Sequence, residues 1–433
     1  MVPRDRPGFK RPALDSRRAI PHFSPSVPLL DALPALRSRN YRLFVGGQIV
    51  SYSGSWLQQV AQGWLVLELS NSPLVVGLVP AVATLPILLF TLYGGVIADR
   101  VNRRRSLIIL QSLLAVEALA LAIMTTTKHV SVAWVLVFAC SAGIVSAFEV
   151  PIRNALVAEL VPREGLMNAI ALNSASFNLA RVLGPAAAGG VIAVGGVAAC
   201  FYLNALSFGA VVWGLWRMDL PPNEPPADPP RTLEAFREGA HYVWHEPWPR
   251  TLLFISGITA MFGFSFLPVL PVFARDTLKT GASGYGVLVA SVGVGALCGA
   301  LALATLGGRA RQRWLALVGA AAFGVALIAT ALTRGFWPAL VVLTVTGGLM
   351  VTHSISANTT VQSDAPDALR GRVMGFYSLV VLGLAPFGAL QVGWVSEHLG
   401  VRTAYLIGGT VCVACAMLAS WWVRRSLPRR SVT

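Results

Sequence analysis

Twelve long apolar runs divide this 433-residue chain. A helix that crosses the hydrocarbon core of a bilayer needs about 20 predominantly apolar residues, and these runs are of that length. Charged residues make up only 12% of the chain, whereas an ordinary soluble protein has roughly 25%, so too little charge is left to solvate a soluble domain of this size. The sequence therefore predicts an all-α, multi-pass membrane protein and argues against a soluble enzyme.

The apolar runs form two groups of six on either side of a polar stretch. We expect spans 1–6 at 41–69, 74–98, 104–126, 131–158, 166–195 and 197–217, and spans 7–12 at 250–274, 283–307, 312–332, 336–361, 371–396 and 401–423. The polar stretch begins with six prolines between Pro221 and Pro230, which favour extended structure, and a short amphipathic helix is expected at 233–244. The predicted organisation is an N-terminal tail (1–40), a six-helix lobe (41–217), a linker (218–249), a second six-helix lobe (250–423) and a C-terminal tail (424–433).

The distribution of basic residues predicts the orientation of the chain. With the N-terminus in the cytoplasm, only five of the 34 lysines and arginines fall in outer loops and two lie within spans, which leaves 27 on the cytoplasmic side. This bias follows the positive-inside rule and predicts a cell-membrane protein with both tails and the linker in the cytoplasm. We therefore expect the basic residues behind the net charge of +15 to contact anionic membrane lipids rather than nucleic acid.

An internal repeat relates the two halves of the chain. Residues 154–162, at the end of span 4, have a counterpart in residues 358–366, at the end of span 10, at an offset of 204 residues. Leu183-Gly184-Pro185 in span 5 is echoed by Leu384-Ala385-Pro386 in span 11. Duplicated six-span halves related about the membrane normal are a transporter architecture, in which the substrate binds near the midplane between the halves.

The loop between spans 2 and 3 holds a glycine, an acid and three arginines at fixed spacing: Gly95, Asp99, Arg100, Arg103 and Arg104. It resembles the signature loop of the major facilitator superfamily, G-x-x-x-D-R/K-x-G-R-K/R. Asn102 stands in place of the second glycine, which is a mild departure because Asn also tolerates a left-handed backbone. The resemblance implies a conformational gate. In such a gate Gly95 lets span 2 approach span 11 closely, and Asp99 meets the positive N-terminal end of span 11. The arginines bond to nearby acids and carbonyls, and Glu159 is the expected partner of Arg103. Alternatively, the arginines only anchor the loop to the membrane surface.

Span 5 contains the kink element Gly184-Pro185, followed by Gly189. It is similar to the G-P-x-x-G-G element of proton-driven exporters in the same superfamily, with Ala188 at the first of the paired glycine positions. The proline frees a backbone carbonyl and bends the helix, and the small residues let a neighbouring helix pack closely. The alternative is an ordinary close-packed kink without a role in transport.

Five further segments narrow the resemblance to the enterobactin-exporter and macrolide-efflux branch of that superfamily. They are residues 56–59, 71–73, 98–105, 151–155 and 172–175. The resemblance covers residues 35–423 and implies a secondary transporter that exports a small amphipathic molecule, such as a drug, a siderophore or another secondary metabolite, by proton antiport. We expect a monomer without cofactor or metal, and no Walker motif is present through which ATP could power transport. A proton-coupled importer, a uniporter of the same fold and a non-transporting receptor or scaffold are the alternatives.

Charged residues inside the spans are candidates for proton coupling. Glu149 and Arg153 are four residues apart in span 4 and share one helix face, and Arg181 lies near the middle of span 5. A charge at the centre of a membrane helix costs about 2.5–3.5 kcal/mol on insertion scales, so each is expected to have a function or a partner. We expect Arg181 to reach Glu149, with Glu149 as the proton carrier and the two arginines as tuners of its proton affinity. A permanent structural ion pair is the alternative.

A polar stripe on span 1 predicts part of a substrate path. Its five members recur at spacings of 4, 3, 4 and 3, which places them on one helix face: Gln48, Tyr52, Ser55, Gln59 and Gln62. Such a stripe would not face lipid, so it faces protein or water. We also expect three residues of the second half on this path. The aromatic rings of Phe262 and Tyr377 are candidate apolar walls, and His353 is a candidate titratable group. Ordinary packing or hydrogen bonding is the alternative for each. Span 3 is expected to be peripheral to the cavity, so Glu117 is expected to pack or to hydrogen-bond to a neighbour rather than to couple protons.

Overall fold

The computed structural model describes residues 33–98, 100–219, 232–305, 309–367 and 369–426, and these residues form helices and turns without a strand. The helices follow the apolar runs of the sequence. In chain order they are α1 (Arg39–Ser70), α2 (Pro73–Ala98), α3 (Arg103–Thr126), α4 (Val132–Glu159), α5 (166–195), α6 (197–216), α7 (Thr232–His245), α8 (Pro247–Thr277), α9 (Ala282–Thr305), α10 (Arg309–Leu332), α11 (Phe336–Asp364), α12 (Arg370–Leu399) and α13 (Val401–Ser426).

Short polar side chains begin several of these helices. The hydroxyl of Ser38 accepts a hydrogen bond from the backbone N–H of Tyr41 at the start of α1, and the side-chain oxygen of Asn102 accepts one from Arg105 at the start of α3. Asn102 has an extended backbone (φ −68°, ψ 102°), so this position does not use the tolerance of Asn for a left-handed backbone. Asn is suited to this position because its side chain caps α3.

Helices α5 and α6 are two parts of one continuous 51-residue helical segment, Leu166–Trp216. Gly196 divides the segment, because its backbone (φ 71°, ψ 180°) lies in a region that is accessible to glycine and strained for other residues. Each part is long enough to cross a bilayer.

Helix α8 is interrupted rather than regular. After a first α-helical part, Pro247–Ile258, it passes through a π-helical turn at Thr259–Gly263 and a 3₁₀ turn at Phe264–Phe266. Pro268 and Pro271 follow, and neither can donate a backbone hydrogen bond. The interruption places a run of phenylalanines on several sides of the helix, where they pack inside the second half of the bundle.

Within the described residues, ten helices are long and apolar enough to cross a membrane. One of the ten is the segment that Gly196 divides. Helix α1 is not among them although it has 32 residues, because its polar stripe lowers its hydropathy. The arrangement is consistent with twelve spans, α1–α6 and α8–α13, and shows the predicted all-α membrane fold.

The internal repeat is visible in how the helices pack. Gly143 on α4 lies against the carbonyl oxygen of Ala83 on α2, and Gly347 on α11 lies against that of Val292 on α9. A Cβ atom at either glycine would collide with the carbonyl. The two glycines are 204 residues apart, which is the offset of the sequence repeat. The same close approach therefore joins the second and fourth helices of each six-helix half.

The two halves, called lobes below, contact each other at the end of the bundle where α1 turns into α2. There Gly77 on α2 lies against the backbone of Ala389 and Gly393 on α12, and Gly286 on α9 lies against that of Gly189 on α5. We call this end the closed end. At the opposite end, a Cβ atom added to Gly95 or to Gly371 would meet no atom within 4 Å, so α2 and α12 do not pack closely there.

Helix α7, in the predicted linker, docks on the second lobe. Its Glu238 forms an ion pair with Arg372 of α12, and the Tyr242 hydroxyl donates a hydrogen bond of 2.8 Å to the carbonyl of Asp364. The Pro-rich stretch before it lies outside the described residues.

Candidate functional site

A cavity of about 590 Å³ lies between the helices, and the first lobe forms most of its wall. Helix α1 contributes the most polar side chains. The five residues of the predicted stripe all line the cavity: Gln48, Tyr52, Ser55, Gln59 and Gln62. Ser51 and Gln58 on the adjacent face of α1 and Asn204 on α6 also line it. The sequence analysis missed these three, although Ser51 and Gln58 lie at helical spacing from Ser55.

A charged cluster forms one part of this wall. Nη1 of Arg153 lies 3.0 Å from both carboxylate oxygens of Glu149, and Nε2 of Gln111 on α3 donates to the same carboxylate at 3.1 Å. The guanidinium of Arg153 also lies over the Tyr52 ring, 5.3 Å from its centroid. Glu149 is only 4% exposed, so the ion pair and the amide N–H compensate for its loss of water.

Gln111 was not predicted, because a single glutamine in an apolar run carries no pattern. Its side-chain oxygen Oε1 is buried and has no hydrogen-bond partner in the structure. Buried polar groups without a partner are uncommon in native structures, and this one lies beside the charged pair.

Arg181 does not join the cluster, which corrects the expected contact with Glu149. Its Nη2 atom is buried without a hydrogen-bond partner, and its backbone carbonyl faces Gly293 of α9. The reason lies in the packing of α5. This helix lies against α1 at Gly184 and against α9 at Gly189, rather than along α4.

The kink element lies where α5 meets both of these neighbours. A Cβ atom at Gly184 would come within 2.6 Å of the Cβ of Trp56, and one at Gly189 within 2.8 Å of the Ser283 carbonyl. Pro185 cannot donate to the Arg181 carbonyl four residues before it, and that is the carbonyl that faces α9. The small residues therefore form part of the contact between the lobes.

Aromatic side chains border the polar wall. Phe177 on α5 packs edge-on against Tyr52 and Trp56, with ring centroids 5.4 and 5.8 Å apart. Tyr285 of the second lobe stacks on Trp64 of the first at 6.1 Å. Leu267, Pro268 and Val289 are the other second-lobe residues on the wall, so this side of the cavity is apolar.

The three second-lobe residues that were expected on the substrate path do not line this cavity. His353 is 0% exposed, and its ring nitrogens lie 2.8 Å from the Ala316 carbonyl and 2.9 Å from the Thr259 hydroxyl. The hydroxyl of Tyr377 donates to that of Ser256 at 3.0 Å inside the same lobe. Phe262 packs its backbone against Gly408. His353 and Tyr377 are buried and Phe262 is half-buried, so the alternative, hydrogen bonding and packing, describes them in this conformation.

At the end opposite the closed end, the gate residues of the described ranges pair within the first lobe. Arg103 pairs with Glu159, the partner expected from the sequence, and Arg104 donates to the carbonyls of Leu215 and Trp216 at the end of α6. Arg100 is exposed, and Gly95 makes no close approach to α12. Asp99 lies outside the described residues. The predicted contact of Gly95 with span 11 is thus absent here, because the lobes are apart at this end.

At the closed end, a carboxylate from one lobe caps a helix of the other. Oε2 of Glu397 on α12 accepts hydrogen bonds from the Ser72 hydroxyl at 2.8 Å and from the Leu74 backbone N–H at 3.2 Å, at the start of α2. A negative charge is favourable there because the first N–H groups of a helix carry a partial positive charge. No motif predicted this contact.

Two six-helix lobes around a cavity define a secondary transporter of the major facilitator superfamily. The chain belongs to the transmembrane secretion effector family, whose profile matches residues 31–430. It is therefore a multi-pass membrane transporter for small molecules, not an enzyme. Within the described residues, no three His, Cys, Asp or Glu side chains come together as a metal site.

Three characterised relatives align over most of the chain. The staphyloferrin A transporter of Staphylococcus aureus is 23% identical over 394 residues, covering 89% of this chain and 96% of its own. The multidrug efflux pump Tap of Mycolicibacterium fortuitum is 27% identical, covering 84% and 91%. The enterobactin exporter EntS of Shigella boydii is 26% identical, covering 85% and 86%.

Solved structures show the same fold at low identity. A bacterial homologue of the human lysosomal transporter Spinster, in an inward-facing and occupied conformation, has a TM-score of 0.73 at 15% identity and covers 90% of this chain and 97% of its own. A D-xylose–proton symporter has a TM-score of 0.68 at 17% identity, covering 89% and 97%. At these identities the likeness concerns the fold.

Proposed function

We propose that this protein exports a small amphipathic molecule from the cytoplasm across the cell membrane in exchange for protons. The observation that carries the proposal is the Glu149–Arg153 pair on the wall of the cavity. The cavity combines amide, hydroxyl and aromatic groups with an apolar second-lobe side, which suits a ligand that is polar on one side and apolar on the other. A siderophore exporter and a multidrug efflux pump among the relatives support this substrate class.

Transport follows from alternating access between the lobes. The positive-inside rule places both termini and α7 in the cytoplasm, so the closed end faces outward and the described conformation is open inward. The carboxylate of Glu397 at the start of α2 holds the outer end closed. The resemblance implies a reciprocal contact for Asp99 at the start of span 11 when the inner end closes. A monomer supplies the complete cavity.

Glu149 is the proton carrier in this mechanism. When the carboxylate takes up a proton, its charge-assisted bond to Arg153 weakens and the guanidinium becomes free to move toward the cavity. Gln111 can bond to either form, because its N–H donates to the carboxylate and its free oxygen can accept from the carboxylic acid. Loss of the proton on the inner side restores the ion pair. Arg181 tunes this exchange if it reaches the cluster in the outward-open conformation.

Transport by purified protein in liposomes tests the proposal. The probes are ethidium, tetraphenylphosphonium, enterobactin and staphyloferrin A, each with and without an imposed pH gradient. At least one probe should move against its concentration gradient when protons flow the other way. Glu149→Gln should abolish the uphill movement and retain movement down the gradient, and Glu164→Gln, an exposed acid outside the cavity, should change neither.

Three outcomes would overturn the proposal. Probe movement in the same direction as the protons would favour the importer, and Glu149→Gln transport that still responds to the pH gradient would leave Glu149 and Arg153 as a structural ion pair. Absence of flux for every probe, despite binding, would favour the receptor.

A further inference from the structure

The cavity wall carries more negative than positive charge. Three residues on it are formally charged: Glu117, Glu149 and Arg153. The positive charge of Arg153 is neutralised in an ion pair with Glu149, because its Nη1 atom lies 3.0 Å from both carboxylate oxygens. Among the described residues no ion pair includes Glu117, and the Ser141 hydroxyl on α4 lies beside its carboxylate. Glu117 thus lacks a countercharge.

Glu117 lies on the face of α3 that borders the cavity. Four residues of this helix line the cavity at spacings of 3, 3 and 4, which is one helical face: Gln111, Leu114, Glu117 and Leu121. This placement corrects the expectation that span 3 is peripheral to the cavity, and the Ser141 neighbour agrees with the expected packing or hydrogen-bonding role of Glu117. The separation of six positions between Gln111 and Glu117 corresponds to about 9 Å along the helix axis, so Glu117 lies at a different depth from the Glu149 cluster.

The rest of the wall is suited to the body of an organic cation. An ammonium or phosphonium group near Glu117 would supply the missing positive charge inside the membrane, where an unpaired carboxylate is costly. The aromatic rings of Trp56 and Phe177 on the same wall attract cations through their faces and pack against apolar substituents. An anion of the same size would meet the uncompensated carboxylate.

We propose that the cavity binds organic cations and that Glu117 is the carboxylate that recognises the positive charge. The inference rests on the proposed export function, because it names the substrate class of that same cavity. It assigns different tasks to the two acids, with Glu117 facing the ligand charge and Glu149 exchanging the proton.

A matched pair of ions tests this assignment. Tetraphenylphosphonium and tetraphenylborate have nearly the same shape and opposite charge. Their dissociation constants for the purified full-length protein in detergent can be measured from the quenching of tryptophan fluorescence, with protein-free micelles as the blank. We expect the phosphonium to bind at least tenfold more tightly than the borate.

Two variants connect this preference to Glu117. Glu117→Gln should weaken phosphonium binding about tenfold and leave borate binding unchanged or tighter, whereas Glu117→Asp should retain the preference. Glu164→Gln is the control, because it removes an acid of the same type that is exposed and distant from the wall. Equal or tighter binding of the borate by the unaltered protein, no binding of either ion, or a cation preference that survives in Glu117→Gln would overturn the inference.

The binding assay and the liposome assay test the two proposals separately, so either proposal can be overturned while the other stands. Proton-driven flux of an anionic probe without phosphonium preference would overturn the cation assignment and leave the export function intact. A clear phosphonium preference without proton-driven flux would leave a cation-binding cavity and remove the proposed exchange.

Discussion

Glu149 on α4 and His353 on α11 occupy the same position in the two repeats, 204 residues apart, and their surroundings differ. Both are held by the preceding helix of their lobe, Glu149 by Gln111 on α3 and His353 by the carbonyl of Ala316 on α10. Glu149 borders the cavity and pairs with a cation. His353 does not line the cavity but is buried inside its lobe, where its second ring nitrogen forms a hydrogen bond with the Thr259 hydroxyl.

The difference indicates a division of tasks between lobes that share one scaffold. The first lobe contributes all the charged side chains of the cavity wall, whereas the second contributes four mainly apolar residues to it. His353 and Tyr377 of the second lobe bond to partners inside their own lobe instead. A duplicated architecture therefore does not require duplicated chemistry. Four tests examine this division of tasks, from the largest expected effect to the smallest.

Arg153→Met should have the largest effect, because it leaves Glu149 buried without a countercharge. Removing one member of a buried ion pair costs about 3 kcal/mol of unfolding free energy, and proton-driven flux should also be lost. Unfolding in detergent and flux in liposomes measure the two effects. Arg153→Lys retains the charge and should lose less. Full stability of Arg153→Met would show that Glu149 does not need its partner.

Gly143→Ala and Gly347→Ala test the shared scaffold. Each added methyl group would collide with a helix backbone, at the carbonyl of Ala83 or of Val292, and should cost about 2 kcal/mol. The comparison predicts similar losses in the two lobes, measured as shifts in the unfolding midpoint. Gly209→Ala, in open space on α6, is the control and should lose nothing. A loss in one lobe alone would contradict the structural equivalence.

His353→Leu should separate stability from transport. It removes the side-chain bonds to Ala316 and Thr259 and should cost about 1–2 kcal/mol. The pH dependence of flux should stay unchanged, because the ring does not reach the cavity. Glu149→Gln should have the opposite pattern, with a flattened pH profile and a smaller loss of stability. A pH profile that moves in His353→Leu would assign a coupling role to the second lobe.

Glu397→Gln should have the smallest effect, because it removes a charge from an exposed helix start. A charge at this position contributes about 0.3–1 kcal/mol. The ratio of molecules with a closed outer end to molecules with an open outer end should therefore fall by a factor of about two to five. Distances between spin labels at positions 128 and 334, in opposite lobes, report this fraction. An unchanged distance distribution would show that the contact of Glu397 with Ser72 and Leu74 does not hold the lobes together.

The sequence predicted those parts of the site that depend on a single helix. The polar stripe on α1 lines the cavity because helical periodicity alone decides which residues share a face. The Glu149–Arg153 pair follows from a spacing of four residues on α4. The Arg103–Glu159 pair joins two helices, and it was expected because α3 and α4 are adjacent in the chain and both residues lie at the same end of them.

Contacts between distant helices were less predictable. Arg181 was expected to reach Glu149 because spans 4 and 5 follow each other in the chain, but α5 packs on α1 and α9 instead. His353 and Tyr377 resembled cavity residues by polarity, and the structure satisfies both with partners from neighbouring helices. A polar side chain in an apolar run has to meet another polar group, and the sequence does not specify which one.

By itself, the sequence determined the spans, the two lobes, their repeat and the face of α1 that avoids lipid, since apolar length and helical period are local properties of a chain. Only the tertiary structure decided that Gln111 bonds to Glu149, that Glu117 borders the cavity, and that Glu397 caps a helix of the other lobe. These contacts join residues from 38 to 325 positions apart. They depend on how whole helices pack, because packing fixes which faces meet and at what depth.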